Sequence, residues 1–491
     1  NPESIMTKQF LKIETRPIAP TIEDERRQQH TADRKKLLIG DWEDLLETEL
    51  YEHLSTDRRQ AWGKSDLSSN LAESLTRELS VLYHEYPSIT NGENNIEAIT
   101  SRDGILSPYW AMMMRQQQFI LFLRESFSRI DYVPPMGNQP PRLAFRIVTP
   151  DVVYCEAHPN DPDKPNYYQE LRLRRSKSYP DFDAIYTADI FDIRDPENPR
   201  FEIRKIETDG SIGENLTSEY IGKSSLSGED YIYRYSDGTP FIPATLYHAE
   251  KTGELWDSYS KNSLYSGSLA SAVLYTMWFH VVRDSAFNIK YVAGLSLQGL
   301  NQLDQDLPAR RAAISTDPSS ILVFNSDPDL SGQPLIGQFS PSADPTKMME
   351  AIQMYERRAA AAFNISASML RSSGDPRSGY ALSIDKSGKR ESQRSFAPIF
   401  RLYDEEFIAK TAAMSNRLLG TSLPERGYRI KYAPIPLSPS EMDALRKDIL
   451  EKIKAGLLSK VDAYIMLNPD CDREEAAREI ERIKKENILY S

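Results

Sequence analysis

The sequence predicts an α+β protein built from several domains. At 491 residues and 40% hydrophobic, the chain is long enough to bury more than one core. Apolar residues recur at helical spacing in residues 20–130 and again after residue 258, whereas residues 140–250 contain short alternating segments. Helical and strand-forming segments are therefore largely separated along the chain, which is typical of this fold class.

Residues 20–130 are predicted to be mostly helical. Two stretches, "DRKKLLIGDWEDLLETELYEHL" and "LAESLTRELSVLYHEY", place apolar residues at intervals of three and four, the spacing of one helical face. A third helix is predicted from Ser107 through Ile130, and it is rich in methionine and aromatic residues. We interpret these large side chains as core packing rather than as a ligand site.

Residues 140–250 are predicted to form a β-rich insert of mostly antiparallel strands. The segments "RLAFRIVTP", "YYQELRLRR", "FEIRKIE" and "DYIYRYSDG" are short and alternate between apolar and polar residues. Turns rich in proline and aspartate, such as "HPNDPDKPN" and "IRDPENPR", separate them.

Two helices are predicted to bracket a small mixed insert in the second half of the chain. Residues 258–289 fit one helix of roughly 45 Å, from the helical rise per residue. Residues 291–340 contain the strand-like pieces "YVAGL" and "ILVFN" among many glycines, prolines and aspartates. The second helix is predicted from Asp344 to Phe363, with Asp344 as its N-cap and Pro345 at its first position.

A long helix and a helical tail are predicted to complete the chain. The long helix spans roughly Gly379 to Leu419, and Pro398 is the place where it could kink. From Pro436 to Ser491, capping residues and Glu/Lys pairs at helical spacing indicate short exposed helices.

Charge and cysteine content argue against several protein classes. The chain has 60 basic and 72 acidic residues, a net charge of −12, so any DNA contact is expected to be local or weak. Cys155 and Cys471 are far apart in sequence, and neither a disulfide framework nor a cysteine metal site is expected. The first 40 residues lack an apolar signal segment, and the most apolar run, Leu269 to Val282, is shorter than the roughly 20 residues of a membrane span.

Enzyme motifs are incomplete in this sequence. "SIDK" at Ser383–Lys386 matches the S-x-x-K of penicillin-binding hydrolases, but K-T-G and S-D-N are absent. "DPDLSG" from Asp327 resembles half of a calcium loop, yet Gln338 stands where glutamate is needed. No H-E-x-x-H, P-loop or G-x-G-x-x-G helix start occurs, so neither a metal nor a cofactor is predicted. A carboxylate-based nuclease with acids distant in sequence stays open.

The clearest functional signal is a basic segment before and at the start of the long helix. Its six basic residues stand against Asp375, Asp385 and Glu391, a local charge of +3 in an otherwise acidic chain. The basic residues are Arg371, Arg377, Lys386, Lys389, Arg390 and Arg394. The segment is either a solvated loop and helix start or a mobile loop that presents cations to phosphates. It has no aromatic platform, so DNA contact would be to the backbone and independent of sequence.

The order of segments around these residues resembles that of the portal protein of tailed bacteriophages. "SGYALS", at Ser378–Ser383, is similar to the family's frequent "SG-x-AL" element and is followed by the charged amphipathic "KRESQRSFAPIFRLYDEEF". "DGTPFIPATLY" precedes the first bracketing helix, and "GLLSKVDAYIMLNPDCDREEAAREIERIKKEN" is similar to portal tails. The resemblance covers most of residues 240–491 and, more loosely, the helices before residue 130.

The resemblance implies a portal-like division of the chain. Its parts are a helical wing with a β-rich insert, a two-helix stem, a small α/β clip, a long helix and a short helical crown. The implied boundaries are 1–257 for the N-terminal wing, 258–290 and 341–364 for the stem helices, 291–340 for the clip, 365–435 for the tunnel loop, long helix and rest of the wing, and 436–491 for the crown.

The resemblance also implies a function and partners. Portal subunits form a ring, usually of about twelve copies, at a unique capsid vertex through which double-stranded viral DNA is packaged and ejected. The implied partners are the major capsid and scaffold proteins, the large terminase subunit, head-completion or adaptor proteins, and DNA without sequence specificity. The implied location is the virion, and the host cytoplasm during assembly, with no membrane partner and no catalytic activity.

The same resemblance assigns roles to individual residues. The six basic residues would face the DNA tunnel, and charged clip residues would bind partners. These clip residues are Asp304, Asp306, Arg310, Arg311, Asp327 and Asp329. Alanine at Lys389, Arg390 and Arg394 is predicted to leave ring assembly intact and to lower packaged DNA. Two alternatives stay open: an enzyme acting on DNA or a capsid partner with carboxylates in residues 140–250, and a virion adaptor without DNA contact.

Overall fold

A computed structural model describes the chain as two units. The larger unit combines residues 1–40, 72–262 and 360–491, and the smaller unit combines residues 41–71 and 263–359. Within these ranges the structure describes residues 22–53, 66–92, 96, 99, 104–135, 138–175, 184–207, 210–221, 226–257, 263–286, 289–293, 321–324, 335–339, 344–361, 379–437, 439–467 and 473–489.

Helices and strands are both abundant in the described residues, which confirms the α+β class. The helices are α1 (Ile22–Ile39), α2 (Glu43–His53), α3 (Leu71–Leu79), α4 (Ser107–Leu123), α5 (Thr217–Ile221), α6 (Ser263–Ala286), α7 (Pro345–Ala361), α8 (Gly379–Leu419), α9 (Pro439–Lys454), α10 (Lys460–Leu467) and α11 (Arg473–Leu489). The strands are β1 (Ser88–Thr90), β2 (Glu125–Val133), β3 (Arg142–Val148), β4 (Val153–His158), β5 (Asp161–Arg175), β6 (Ala184–Asp192), β7 (Arg200–Ile206), β8 (Ile212–Asn215), β9 (Leu226–Ser227), β10 (Ala244–His248), β11 (Ile289–Ala293), β12 (Ile321–Phe324), β13 (Leu335–Phe339) and β14 (Arg429–Lys431).

Antiparallel sheets form the centre of the larger unit. One sheet has the order β10-β2-β3, and another runs β4-β5-β6-β7-β8 with β9 paired to β7. Every pairing in these two sheets is antiparallel. The antiparallel strands predicted for residues 140–250 are therefore confirmed in the residues that the structure describes.

Helices α4 and α8 complete the core over the β10-β2-β3 sheet. Tyr109 of α4 and Phe407 of α8 stack with ring centroids 4.1 Å apart, and both side chains are fully buried. Phe127 of β2 and Phe400 of α8 are also fully buried. Burying an aromatic side chain of this size removes a large apolar area from water, so these contacts contribute strongly to the free energy of folding.

The helix predicted to run from Ser107 through Ile130 is wrong in its last seven residues. Helix α4 ends at Leu123, Arg124 adopts a left-handed conformation with φ of 78°, and strand β2 begins at the next residue. Strand β2 is central in its sheet, with β10 on one side and β3 on the other. Its partners are distant in sequence, so local apolar spacing favoured a helix that long-range pairing overrides.

Two glycines with positive φ mark places where the fold differs from the predicted elements. Gly40, with φ of 84°, separates α1 from α2 within the first predicted helical stretch. The strand predicted at "DYIYRYSDG" is wrong: its β-pairing is limited to one bridge between Arg234 and Pro240, and its last residue, Gly238, lies in a turn with φ of 85°. Glycine adopts this conformation without the steric cost that a side chain imposes.

The smaller unit contains the helix pair that was predicted to bracket a mixed insert. Helices α6 and α7 are present, and strands β11, β12 and β13 between them form one sheet. The predicted N-cap is confirmed, because Oδ1 of Asp344 accepts a hydrogen bond from the backbone N–H of Thr346 at 2.9 Å. Ser271 of α6 donates to Glu356 of α7, and the Trp278 indole donates to the Pro345 carbonyl.

The predicted long helix is confirmed at its full length. Helix α8 runs for 41 residues and continues through Pro398. Helices α9, α10 and α11 follow it, with mostly exposed or half-exposed side chains where these are described, as the charge pattern predicted. No helix among the described residues is long and apolar enough to cross a membrane.

Candidate functional site

The structure describes only part of the predicted basic segment. Arg371 and Arg377 lie outside the described residues, and Lys386 lies in the first part of α8. The predicted partner-binding residues of the insert also lie outside them: Asp304, Asp306, Arg310, Arg311, Asp327 and Asp329. The candidate site therefore consists of the part of α8 from Lys389 onward, where side-chain contacts are described.

Two of the predicted DNA-facing cations form ion pairs within the larger unit. Nζ of Lys389 lies 2.6 Å from Oε2 of Glu78 on α3. The Arg390 guanidinium makes a two-bond contact with the Glu441 carboxylate on α9, one bond being 3.2 Å. A two-bond arginine–carboxylate pair fixes both distance and orientation. These two side chains therefore hold α8 against α3 and α9, and their charges are largely compensated.

Arg394 and Arg401 stand on the exposed side of α8. Exposed residues recur there at helical spacing and form a continuous line, which we name the outer stripe. The outer stripe consists of Glu391, Arg394, Ser395, Pro398, Arg401 and Leu402. Neither arginine forms an ion pair with any residue that the structure describes. Arg401 follows Arg394 by seven positions, so the two residues lie roughly 10 Å apart along the helix axis.

The opposite side of α8 is held by a buried carboxylate surrounded by tyrosines. Asp404 is fully buried, and each of its oxygens accepts two hydrogen bonds. Oδ1 accepts from Tyr109 at 2.8 Å and from Tyr247 at 2.7 Å. Oδ2 accepts from Tyr83 at 2.9 Å and from Tyr432 at 2.7 Å. We name these five residues the Asp404 cluster.

At neutral pH the five groups are in the protonation states that these hydrogen bonds need, an ionised carboxylate and four neutral tyrosines. Burial raises the pKa of Asp404 to about 6, against the effect of the four tyrosine hydrogen bonds, which lower it. Burial also raises the pKa of Tyr109 and of Tyr247 well above the ordinary tyrosine value, so both hydroxyls keep their protons. The carboxylate is thus mostly ionised at pH 7 and has four donors, which makes it a structural anchor for α8.

This raised pKa gives a testable dependence of stability on pH. The folded state holds the Asp404 proton more tightly than the unfolded state, where the usual pKa is 3.8. Relative to Asp404→Asn, which does not titrate, we expect the wild-type free energy of unfolding to fall by about 3 kcal/mol between about pH 4 and pH 6, and to level off above. Urea unfolding at a series of pH values measures this difference. Parallel curves for the two proteins would contradict it.

Sequence patterning did not identify Asp404, although a signal was present. Asp404 lies four residues after Phe400 and three before Phe407, and both phenylalanines belong to the apolar stripe of the predicted long helix. A carboxylate on the apolar face of a helix needs a buried partner, because an unpaired buried charge is unfavourable. The number and type of its partners follow only from the fold.

A buried network of arginines and carboxylates joins the two central sheets. Arg129 of β2 lies 2.7 Å from Asp189 of β6 and also pairs with Glu170 of β5. Arg146 pairs with Glu170 at 2.9 Å, and Arg174 pairs with Asp189 at 2.6 Å. Although burial raises it, the neighbouring arginines hold the pKa of Asp189 below its usual value. These carboxylates are engaged by arginines from more than one strand.

The described residues offer no cluster suited to metal catalysis. No group of three or more His, Cys, Asp or Glu side chains in that part of the chain is arranged to hold a metal ion. Ser383 and Lys386 of the incomplete S-x-x-K motif both lie within α8. The candidate site is therefore α8 itself. It is held by buried contacts on one side, and its exposed outer stripe carries two arginines and one glutamate.

Comparisons with protein families and with curated proteins found no match from which a function could be inferred. No protein-family model matches it, and no curated protein matches its sequence. The contacts of α8 and the order of the elements around it are therefore the observations from which a function is proposed.

Proposed function

We propose that this chain is a portal protein, one subunit of a ring at a unique capsid vertex through which double-stranded viral DNA is packaged and ejected. The observation that carries the proposal is the order of elements from α6 onward. A helix, a small sheet, a second helix, a 41-residue helix and a short helical tail follow one another. In the portal plan these correspond to stem, clip, stem, the long helix across the wing, and crown.

The charge distribution supports a sliding contact with DNA. The chain carries a net charge of −12, so a ring of copies repels phosphates over most of its surface. Arg394 and Arg401 on the outer stripe are cations exposed against this background. A few such charges offset part of the repulsion without binding the duplex tightly, and they contact only its backbone. Lys389 and Arg390 then support α8 and do not contact DNA.

The proposal includes partners and a location. The clip would dock the large terminase subunit during packaging and head-completion proteins afterwards, and the wing would contact capsid or scaffold protein. The subunit would act in the virion, after assembly in the host cytoplasm. In this role it positions and guides DNA and performs no bond chemistry of its own.

A direct test of the proposal is the oligomeric state of the purified full-length chain. We expect native mass spectrometry to give a closed ring of about twelve copies, and negative-stain microscopy to show a central channel. A chain that stays monomeric under all protein and salt concentrations would overturn the proposal.

The outer stripe provides a second test. We expect Arg394→Ala with Arg401→Ala to leave ring assembly unchanged and to lower encapsidated DNA at least about threefold, since both exposed arginines of the outer stripe are removed. The readout is nuclease-resistant DNA in particles assembled with the variant.

The matched control for this test is Arg429→Ala, which removes an exposed arginine from β14 instead. Encapsidated DNA should then equal that of wild type. Equal DNA in the double variant and in the control would remove the outer stripe from the packaging mechanism.

A further inference from the structure

An apolar groove opens on the surface of the smaller unit beside α7. Its volume is about 280 Å³, and its lining includes Leu274 of α6 with Met348, Ala351, Met354, Tyr355 and Arg358 of α7. Met354 and Tyr355, which line the groove, are 54% and 36% exposed. Exposed apolar side chains next to a groove are typical of a surface that another protein covers.

Arg358 lines this groove, and the exposed charged residues of α7 are mostly basic. Lys347, Arg357 and Arg358 are exposed on α7, against Glu350 as the exposed acid. The other acid of the helix, Glu356, is buried and accepts a hydrogen bond from Ser271. The exposed side chains of α7 therefore carry a net positive charge, with three cations and one anion. A partner with acidic residues would be complementary to this helix.

Helix α2, in the same unit, is strongly acidic. Residues 43–53 contain five acidic residues and no lysine or arginine. Glu43, Glu47 and Tyr51 recur every four residues along one side, where Glu43 and Tyr51 are exposed and Glu47 is half-exposed. This side of α2 therefore presents carboxylates that are complementary to the exposed cations of α7, and an aromatic ring that suits the apolar groove.

The two faces lie on different sides of the smaller unit. Helix α7 covers the side of α6 that bears Ser271 and Trp278. The segment after α2 contacts another side, because the backbone N–H of Asp66 donates to Thr276, about 140° around the helix from Ser271. Helix α2 itself also packs on α6. Helix α7 thus lies on one side of α6 and α2 on another, and the acidic side of α2 is exposed or half-exposed.

We propose that the α7 groove of one copy receives the acidic side of α2 from a second copy of this chain. Such a contact joins two different faces, so successive copies associate head to tail and can close into a ring. The inference rests on the proposed ring function and identifies the surface through which neighbouring subunits recognise each other.

Charge reversal on either face tests this contact in the full-length chain. Arg357→Glu with Arg358→Glu makes α7 acidic, and Glu43→Lys with Glu47→Lys makes α2 basic. We expect each double variant alone to raise the concentration at which rings dissociate by at least about tenfold, since like charges then meet. An equimolar mixture should restore rings, because the acidic α7 of one variant meets the basic α2 of the other. Native mass spectrometry over a dilution series gives both results.

Matched controls separate this contact from general effects of charge. Arg446→Glu with Lys447→Glu reverses two adjacent exposed cations on α9 and should leave the dissociation concentration unchanged. Far-UV circular dichroism and the thermal midpoint should match wild type for both double variants.

A second approach uses proximity rather than charge. Thr48→Cys and Ala351→Cys place thiols at exposed positions on the two faces. In a Cys471→Ser background, a short bismaleimide should link chains that carry both substitutions into a ladder, whereas either substitution alone should yield none.

The possible outcomes distinguish this contact from the ring itself. Wild-type dissociation concentrations for both reversed variants, or a mixture that forms no rings, would overturn the α2–α7 contact and leave the portal proposal standing. A wild-type chain that is monomeric at every concentration would overturn both. Restored rings in the mixture together with a cross-linked ladder would support the contact.

Discussion

Replacing Asp404 with alanine is expected to lower the free energy of unfolding by about 3–5 kcal/mol. The reason is that four buried tyrosine hydroxyls share this one carboxylate as acceptor. Tyr109 and Tyr247 also contact each other through their hydroxyls and can partly compensate. All four hydroxyls nevertheless lose the carboxylate as acceptor in a buried environment that excludes water. Urea unfolding followed by circular dichroism measures the change.

The neighbouring residue supplies the control for this experiment. Glu405→Ala alters the same helix at a half-exposed position and should change the free energy of unfolding by less than about 0.5 kcal/mol. Single Tyr→Phe substitutions in the Asp404 cluster should each cost about 1 kcal/mol, since each removes one hydrogen bond and keeps the ring. An Asp404→Ala protein as stable as Glu405→Ala would show that the cluster does not hold α8.

Replacing Arg129 with alanine is expected to destabilise the larger unit by about 3–5 kcal/mol. Arg129 is almost fully buried and pairs with Glu170 and Asp189, which are buried as well. Its removal leaves two carboxylates in the interior with one arginine fewer to compensate them. Arg146 and Arg174 still contact these acids, so the protein should fold, with a lower thermal midpoint and a lower urea midpoint.

An exposed arginine in the sheet that contains Asp189 shows what an ordinary surface ion pair contributes. Arg200→Ala removes a side chain that is 57% exposed and lies 3.5 Å from Asp192. Its effect on the free energy of unfolding should stay below about 1 kcal/mol, because solvent screens such pairs. Comparable losses for Arg129→Ala and Arg200→Ala would contradict the role given to the buried network.

Helices with strong local signals could be predicted from the sequence. The long helix from Gly379 to Leu419 and the Asp344 cap depend on residues close together in the chain, and both are confirmed. Strand β2 could not be recognised, because its conformation is decided by pairing with β3 and β10, the latter more than a hundred residues later. Local spacing does not reveal such partners.

The contacts of the basic residues could not be predicted from the sequence. The sequence indicates a cluster of cations at the start of the long helix, but the fold pairs some of them with carboxylates and leaves others exposed. Lys389 pairs with Glu78 and Arg390 with Glu441, both distant in sequence, whereas Arg401 was not included in the prediction although it lies on the same exposed side as Arg394. Counting charges along a chain does not show which of them fold against a counter-ion.

The Asp404 cluster also bears on the order in which a newly made chain can fold. Two of its tyrosines, Tyr83 and Tyr109, emerge from the ribosome early, whereas their acceptor is Asp404 and the last donor is Tyr432. During translation the hydroxyls of Tyr83 and Tyr109 therefore have no carboxylate acceptor until some three hundred further residues, up to Asp404, have been synthesised. Chaperone binding to ribosome-bound chains should accordingly persist until residues beyond Tyr432 have left the exit tunnel, and decline once Asp404 can enter the core.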